Sequence, residues 1–298
     1  MDSFTHGLIA AGLVDALGFP GLIPFAVAGA VIPDADTLVA RAFDRHPSRY
    51  LFTHGGIAHS LAGAAVLALP AWAVAALVAP GVPLFPPAGA PLAFAAVLAG
   101  AYLHLGLDWL ACPGLPLLAP ASDRKFTLGL LPGPSLLLFA VSIVVLAGLA
   151  LGRVGWPSVL VPYAGAIAAF LVVRLAAFAR VRATVGGAAR AVPTANPFRW
   201  LLIGETPDAW TVSDYRVGGT TEPAVHSKFR GITAEAAAPY LEAPEARRVR
   251  YHSYFTTAAR EGDALVVADP LRTSRAIRYP PYFAEARVQL RPPDRSGR

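Results

Sequence analysis

Seven side chains within the first 108 residues have the chemistry of a divalent-metal site: His6, Asp34, Asp36, His54, His59, His104 and Asp108. They fall in four short strings: TH at 5–6, PDAD at 33–36, HGGIAHS at 54–60 and HLGLD at 104–108. Neutral imidazole and carboxylate suit Zn²⁺ best and accept Mn²⁺ or Fe²⁺. Mixed nitrogen and oxygen ligation with one water position left open is the hydrolytic arrangement. The donors suffice for one ion or for two, which bridging carboxylates hold about 3.5–4 Å apart. The single cysteine, Cys112, excludes an internal disulfide and leaves no thiolate set for a structural zinc knuckle.

His104 and Asp108 are four residues apart in an apolar stretch, hence on one face of a helix. An aspartate at a bilayer centre costs roughly 2.5–3.5 kcal/mol, so this one should face protein, water or a metal. Asp36 or Asp108 would bridge ions or orient the attacking water; the sequence does not separate these roles. His46 reads as a loop residue, and His226 and His252 are expected to titrate in solvent. Ser60, ahead of an apolar run, reads as a helix cap.

The elements that must position these groups are membrane elements. The chain has 298 residues, 55% hydrophobic and only 15% charged, where soluble domains carry about 25%. Four stretches have the roughly 20 apolar residues that a crossing needs, near Leu61–Pro80, Ala90–Ala111, Gly133–Gly152 and Ser158–Phe178. The apolar region from Gly7 to Pro33 is broken by Gly18, Pro20, Gly21 and Pro24 into two halves too short to span alone. It is expected to form a re-entrant helical hairpin, which returns Asp34 and Asp36 to the level of His6. No removable signal peptide is expected, because no Lys or Arg precedes that region and no clear small-residue cleavage site follows it.

Lys and Arg in the short loops set the orientation. Arg41, Arg45, Arg49, Arg124, Lys125, Arg180, Arg182 and Arg190 lie on one side, against Arg153 on the other. This places the N-terminus, the 33–60 and 112–132 loops and the tail in the cytoplasm. The net charge of +6 comes from residues 179–298, which hold 18 basic and 12 acidic side chains. The basic residues are scattered rather than clustered, which argues against nucleic acid and for a solvated face beside anionic lipid.

From about Pro193 the texture changes. RWLLIGETPDAWTVSDYRV and DALVVADPL alternate in the manner of strands, AEAAAPYLEAPEARR reads as a helix interrupted by proline, and RPPDRSGR reads as disordered. The expected fold is therefore an all-α polytopic membrane domain over residues 1–180, with the re-entrant hairpin and about four transmembrane helices. A small cytoplasmic α+β appendage follows over 193–298.

Taken in order with PLLAPASDR at 116–124, these strings resemble the YdjM/YbcI family over roughly residues 1–200. That family comprises bacterial inner-membrane-associated metal-dependent hydrolases, also described as LexA-binding. The resemblance implies that the seven His and Asp residues form the metal site, with Asp123 and Arg124 at its rim. Two departures stand out: Gly55 where the family often carries Arg, and Ala58 in place of a usual Thr. An acidic residue common after the SDR segment is also missing from LGLLPGPS. More distantly, the HxxxD pair with upstream His and Asp is similar to zinc-dependent phospholipase C and related helical phosphodiesterases.

The expectation is a hydrolase of the inner membrane in which a metal-activated water attacks a phosphoester or similar bond, with a lipid headgroup as one candidate substrate. Asp36, Asp108 and Arg124 are the candidate catalytic residues, Arg124 or neighbouring Lys125 holding an anionic headgroup. Two other classes use the same residues: a non-enzymatic metal-binding scaffold whose tail binds a partner protein, and an ion- or proton-coupled transporter using His104 and Asp108. The absence of an internal repeat argues against transport.

Overall fold

Gly18 turns the N-terminal apolar stretch back on itself. Helix α1 (Ser3–Ala16) begins where the Asp2 side chain accepts from the Thr5 N–H. It ends ahead of Gly18, whose φ of +83° suits a residue without a side chain. Pro20 opens a 3-10 turn (Pro20–Leu22), and α2 (Ile23–Val31) then runs back along α1. A Cβ on Gly7, near the start of α1, would touch Val27 and Val31 at the end of α2, so the two helices are antiparallel. A second 3-10 turn, Ile32–Ala35, carries Asp34, and α3 (Asp36–Phe43) follows. The structure is a computed structural model that describes residues 1–78, 89–187, 189–216, 219–277 and 283–290. Most of the 81–89 loop, and the RPPDRSGR segment expected to be disordered, lie outside the described residues.

Helices α4 (Leu61–Val78) and α5 (Ala90–Trp109) pack with α2 through small side chains, among them Ala68, Ala71, Ala75 and Ala93 around Phe25. The α2–α5 crossing is closer still. A Cβ at Gly29 would lie 1.9 Å from the Val97 carbonyl oxygen, and one at Gly100 would lie 2.1 Å from that of Ala26. Without a hydrophobic driving force inside lipid, such backbone-to-backbone approach is a main source of helix association. Helices α6 (Leu136–Ala150) and α7 (Trp156–Val185) complete the helical part.

Among the described residues, four helical stretches are long and apolar enough to cross a membrane: Pro20–Phe43, Leu61–Val78, Ala90–Trp109 and Trp156–Val185. The set differs from the expected one. In place of a span at Gly133–Gly152 stands α6, whose 15 residues reach about 22 Å, short of the roughly 30 Å hydrocarbon core. Pro132 and Pro134 delay its start to the Ser135 cap, and Gly152, at φ +63°, follows its end. The stretch Pro20–Phe43 completes the four instead, because 3-10 turns carry the helical path through Pro20 and Pro33.

The chain divides into two units, Met1–Asp44 with Leu51–Ala177, and Arg45–Tyr50 with Phe178–Arg298. The second contains two sheets. In one, β1 (Ala189–Pro193), β2 (Arg199–Glu205) and β3 (Ala209–Arg216) run antiparallel, with β4 (Gly219–Thr220) and β5 (Ala224–Ser227) both paired to β3. In the other, β6 (Phe229–Arg230) runs parallel to β7 (Thr257–Glu261), which continues antiparallel through β8 (Ala264–Ala268) to β9 (Glu285–Gln289). Helices α8 (Ala234–Leu241) and α9 (Pro244–His252) pack on the second sheet around Ala246, Val249 and Leu265, and a single turn, α10 (Pro270–Thr273), follows β8. Tyr50 joins this unit, its ring 5.0 Å from Tyr251 and its hydroxyl bonded by Arg247 at 3.0 Å. One expectation fails here. His252 is not in solvent; it is 2% exposed, between Tyr251 and Phe283 on the hydrophobic side of α9.

Candidate metal centre

The antiparallel return of α2 brings the two ends of the N-terminal segment together, with His6 Nδ1 3.8 Å from Asp34 Oδ2. Helix α5 adds His104 and Asp108 one turn apart, and the 51–60 loop adds His54 and His59. This loop is folded tightly on glycine: a Cβ at Gly56 would lie 2.0 Å from the Leu51 carbonyl oxygen, and Gly55 takes φ +74°. Ser60 ends it as expected, accepting from the Gly63 N–H at 2.9 Å at the start of α4.

Four donors converge. His59 Nε2 stands 3.4 Å from Asp34 Oδ1 and 3.9 Å from Asp108 Oδ2, and His104 Nε2 stands 3.7 and 3.5 Å from the same two oxygens. Donors bound tetrahedrally at about 2.0–2.1 Å from a zinc ion sit roughly 3.3–3.4 Å apart, so these spacings are close to those of a coordination shell. The imidazoles of His59 and His104 are 1% and 0% exposed, yet among the described residues neither Nε2 has a hydrogen-bond partner. Buried polar nitrogens left in that state cost free energy unless something else satisfies them. This set of Asp34, His59, His104 and Asp108 could hold a metal ion.

The outward-facing nitrogens support the same assignment. His104 Nδ1 donates to the Ala30 carbonyl at 2.7 Å, which fixes the tautomer that leaves Nε2 free to ligate. His59 Nδ1 lies 3.2 Å from Asp36 Oδ2, within ion-pair distance but without hydrogen-bond geometry, beside the kind of carboxylate partner that orients many metal ligands. Asp36 is itself held by His54 Nδ1 at 2.6 Å and by the Gly55 N–H at 3.2 Å. Asp36, His54 and His59 thus form a second group able to hold an ion, sharing one imidazole with the first. Burial alone would lower the His59 pKa, but Asp34 and Asp36 outweigh it and raise the pKa to about 10.

His6 occupies the far side of the same two carboxylates. Its Nε2 is 3.3 Å from Asp108 Oδ1, its ring centre is 4.0 Å from that of His104, and both its nitrogens are buried without hydrogen-bond partners among the described residues. Asp34 and Asp108 therefore each turn one oxygen to the His59–His104 pair and the other to His6, the disposition of bridging carboxylates. The amino group of Met1 also contacts Asp108, and Ser3 Oγ donates to Asp34 Oδ2 at 2.5 Å.

Arg124 is not brought to this group. It is exposed, and among the described residues it contacts the Phe126 ring at 5.5 Å and, through its N–H, Ser122. Asp123 is also exposed. Two supporting features escaped the sequence reading. A buried chain of hydroxyls, Thr5 to Ser142 at 2.9 Å and Ser142 to Tyr163 at 2.8 Å, ties α1 to α6 and α7 one residue away from His6. Arg174, 1% exposed in α7, donates Nε and Nη2 to the Leu130 carbonyl at 3.1 and 3.0 Å. An arginine within an apolar span is itself a signal of such a role.

The helical part of the chain also defines its kinship. The family model described as YdjM inner membrane protein matches residues 1–183, a segment that contains all seven His and Asp residues. No curated protein and no solved structure matches the chain. With more than half of its length covered by that model, the chain belongs to the YdjM inner membrane protein family.

Proposed function

We propose that the protein is a metal-dependent hydrolase of the inner membrane, cleaving a phosphoester or similar polar bond at the cytoplasmic membrane interface. The observation that carries this reading is the convergence of Asp34, His59, His104 and Asp108, with imidazole nitrogens buried, unbonded and spaced as ligands. Zn²⁺ suits two imidazoles and two carboxylates, and Mn²⁺ or Fe²⁺ are alternatives. Held by Asp34, His59, His104 and Asp108, a divalent ion would lower the pKa of water toward ~7 and offset charge on a phosphoester.

The protein's own residues divide the work. Asp36 positions His59 through Nδ1, and the Ala30 carbonyl positions His104. Asp34 and Asp108 would ligate, each turning one oxygen to the His59–His104 pair and the other to His6. In this reading α1 and α2 form a re-entrant hairpin that enters and leaves at the cytoplasmic face. This keeps three aspartates near the interface, where their burial costs less than at the bilayer centre. The excess of Lys and Arg in the 33–60 and 112–132 loops supports that orientation, with the C-terminal unit on the same side.

The test is a hydrolysis screen of the full chain in detergent, using bis(p-nitrophenyl) phosphate and phospholipids with Zn²⁺, Mn²⁺ or Fe²⁺. Turnover that depends on a divalent ion and disappears in His59→Ala is expected. Metal-free protein that neither binds nor responds to any of these ions contradicts the reading.

A further inference from the structure

Beside the His and Asp group lies a groove of about 510 Å³, in the size range of small-molecule sites. It runs between the α3 segment and the start of α4, with walls that include Val39, Phe52, Ile57 and Val66. Among the described residues, Asp36 is the only ionisable one lining it. The carboxylate of Asp36 is also the one bonded to His54 and set 3.2 Å from His59 Nδ1, so the apolar groove ends at the candidate metal centre. Val39, Phe52 and Val66 are 53%, 46% and 66% exposed, so the walls open outward. Val39 and Val66 belong to the stretches Pro20–Phe43 and Leu61–Val78 that are apolar and long enough to cross the membrane, and Phe52 lies in the loop between them.

We infer that this groove holds the hydrocarbon tail of a membrane lipid whose polar linkage lies at the His and Asp group, making the substrate an amphiphile rather than a soluble ester. The inference rests on the hydrolase reading for the chemistry, but the groove makes its own demand. An apolar channel with exposed apolar walls that ends at the Asp36 carboxylate suits a hydrocarbon tail at the membrane interface better than a soluble ester. A tail lying in it desolvates apolar surface on both partners and places the first polar bond of the lipid beside His59. Ala62 and Val66 are four residues apart on the face of α4 that lines the groove.

The experiment uses the full chain in phosphatidylethanolamine vesicles doped with phosphatidylglycerol that carries a photoactivatable diazirine on one acyl chain. Labelled peptides are mapped, and metal content is measured on the same samples. The groove peptides around Val39 and Val66 should label above lipid-facing α6, and Ala62→Phe with Val66→Phe should cut groove labelling by about tenfold. Labelling of α6 and metal content should not change. In the wild type, competition by unlabelled phosphatidylglycerol or by a polyprenyl phosphate identifies the kind of tail. Groove labelling no stronger than that of α6, or insensitive to both competitors, overturns the inference whatever the metal content. Loss of metal in the wild type with groove labelling intact would overturn the hydrolase reading and leave the lipid site standing.

Discussion

His104 donates its Nδ1 proton to the Ala30 carbonyl at 2.7 Å, across the α2–α5 crossing where Gly29 and Gly100 meet the facing backbone. The acceptor is available for a local reason. Ala30 is in the last turn of α2, where carbonyls lose their helical partners, and Pro33 has no N–H with which to close a 3-10 bond onto it. One proline thus frees a backbone oxygen, the oxygen fixes an imidazole tautomer, and the tautomer leaves Nε2 facing two carboxylates.

Asp36 acts on the metal group through His59, and its replacement should weaken the site without abolishing it. In Asp36→Asn, metal affinity should fall by about 10–100-fold while the number of ions taken up at saturation is unchanged. Competition with a chelator of known affinity measures both. Loss of all uptake would instead make Asp36 a direct ligand.

The crossing of α2 and α5 should tolerate no side chain at its centre. Gly29→Val and Gly100→Val each force a Cβ into a carbonyl about 2 Å away, so each should destabilise the helical unit by about 3 kcal/mol or more. Thermal unfolding in detergent reads the effect, and Gly106→Ala, where nothing lies within 4 Å of the added Cβ, serves as the unperturbed comparison.

Ser142 sits between Thr5 and Tyr163, so Ser142→Ala leaves two buried hydroxyls without their shared partner. A loss of about 0.6–1.7 kcal/mol in stability is expected, the range of interhelical hydrogen bonds in membranes. Metal affinity should fall with it, because α1 carries His6 next to Thr5. Unchanged stability in a denaturant titration would show that the chain of hydroxyls contributes nothing.

Arg124 should be dispensable for metal binding. Its contacts are with Phe126 and Ser122, so Arg124→Ala should match the wild type in metal uptake. A drop in uptake would show that the 116–124 segment reaches the centre in solution.

Much of the candidate site was legible because charge in an apolar chain is expensive. Histidines and aspartates at 6, 34, 36, 54, 59, 104 and 108 had few places to go, and the Gly18–Pro20 break showed how residues 6 and 34 could meet. The division of labour was not legible. That His59 faces Asp36 with one nitrogen and Asp34 with the other depends on the tight loop at Gly55 and Gly56, which spacing alone does not reveal. Helix α6 was overestimated because apolar residues continue through Gly133 and Pro134, where the backbone cannot remain helical. His252 was misplaced because Arg247, Arg248 and Arg250 precede it, while the Phe283 ring that helps to bury it is distant in the chain. The Gly29–Gly100 contact had a visible signal, small residues in two apolar helices, but two isolated glycines do not announce that they face each other.

The central claim is that the Nε2 atoms of His59 and His104, with Asp34 and Asp108, hold a divalent ion. Its most direct test is Zn²⁺ titration of metal-free purified protein, with bound zinc counted by mass spectrometry, for the wild type, His59→Ala and His104→Ala. The account predicts tight uptake by the wild type and its loss in both variants while the helical content by circular dichroism is retained. Wild-type protein that takes up no zinc, or variants that bind it as the wild type does, would contradict it.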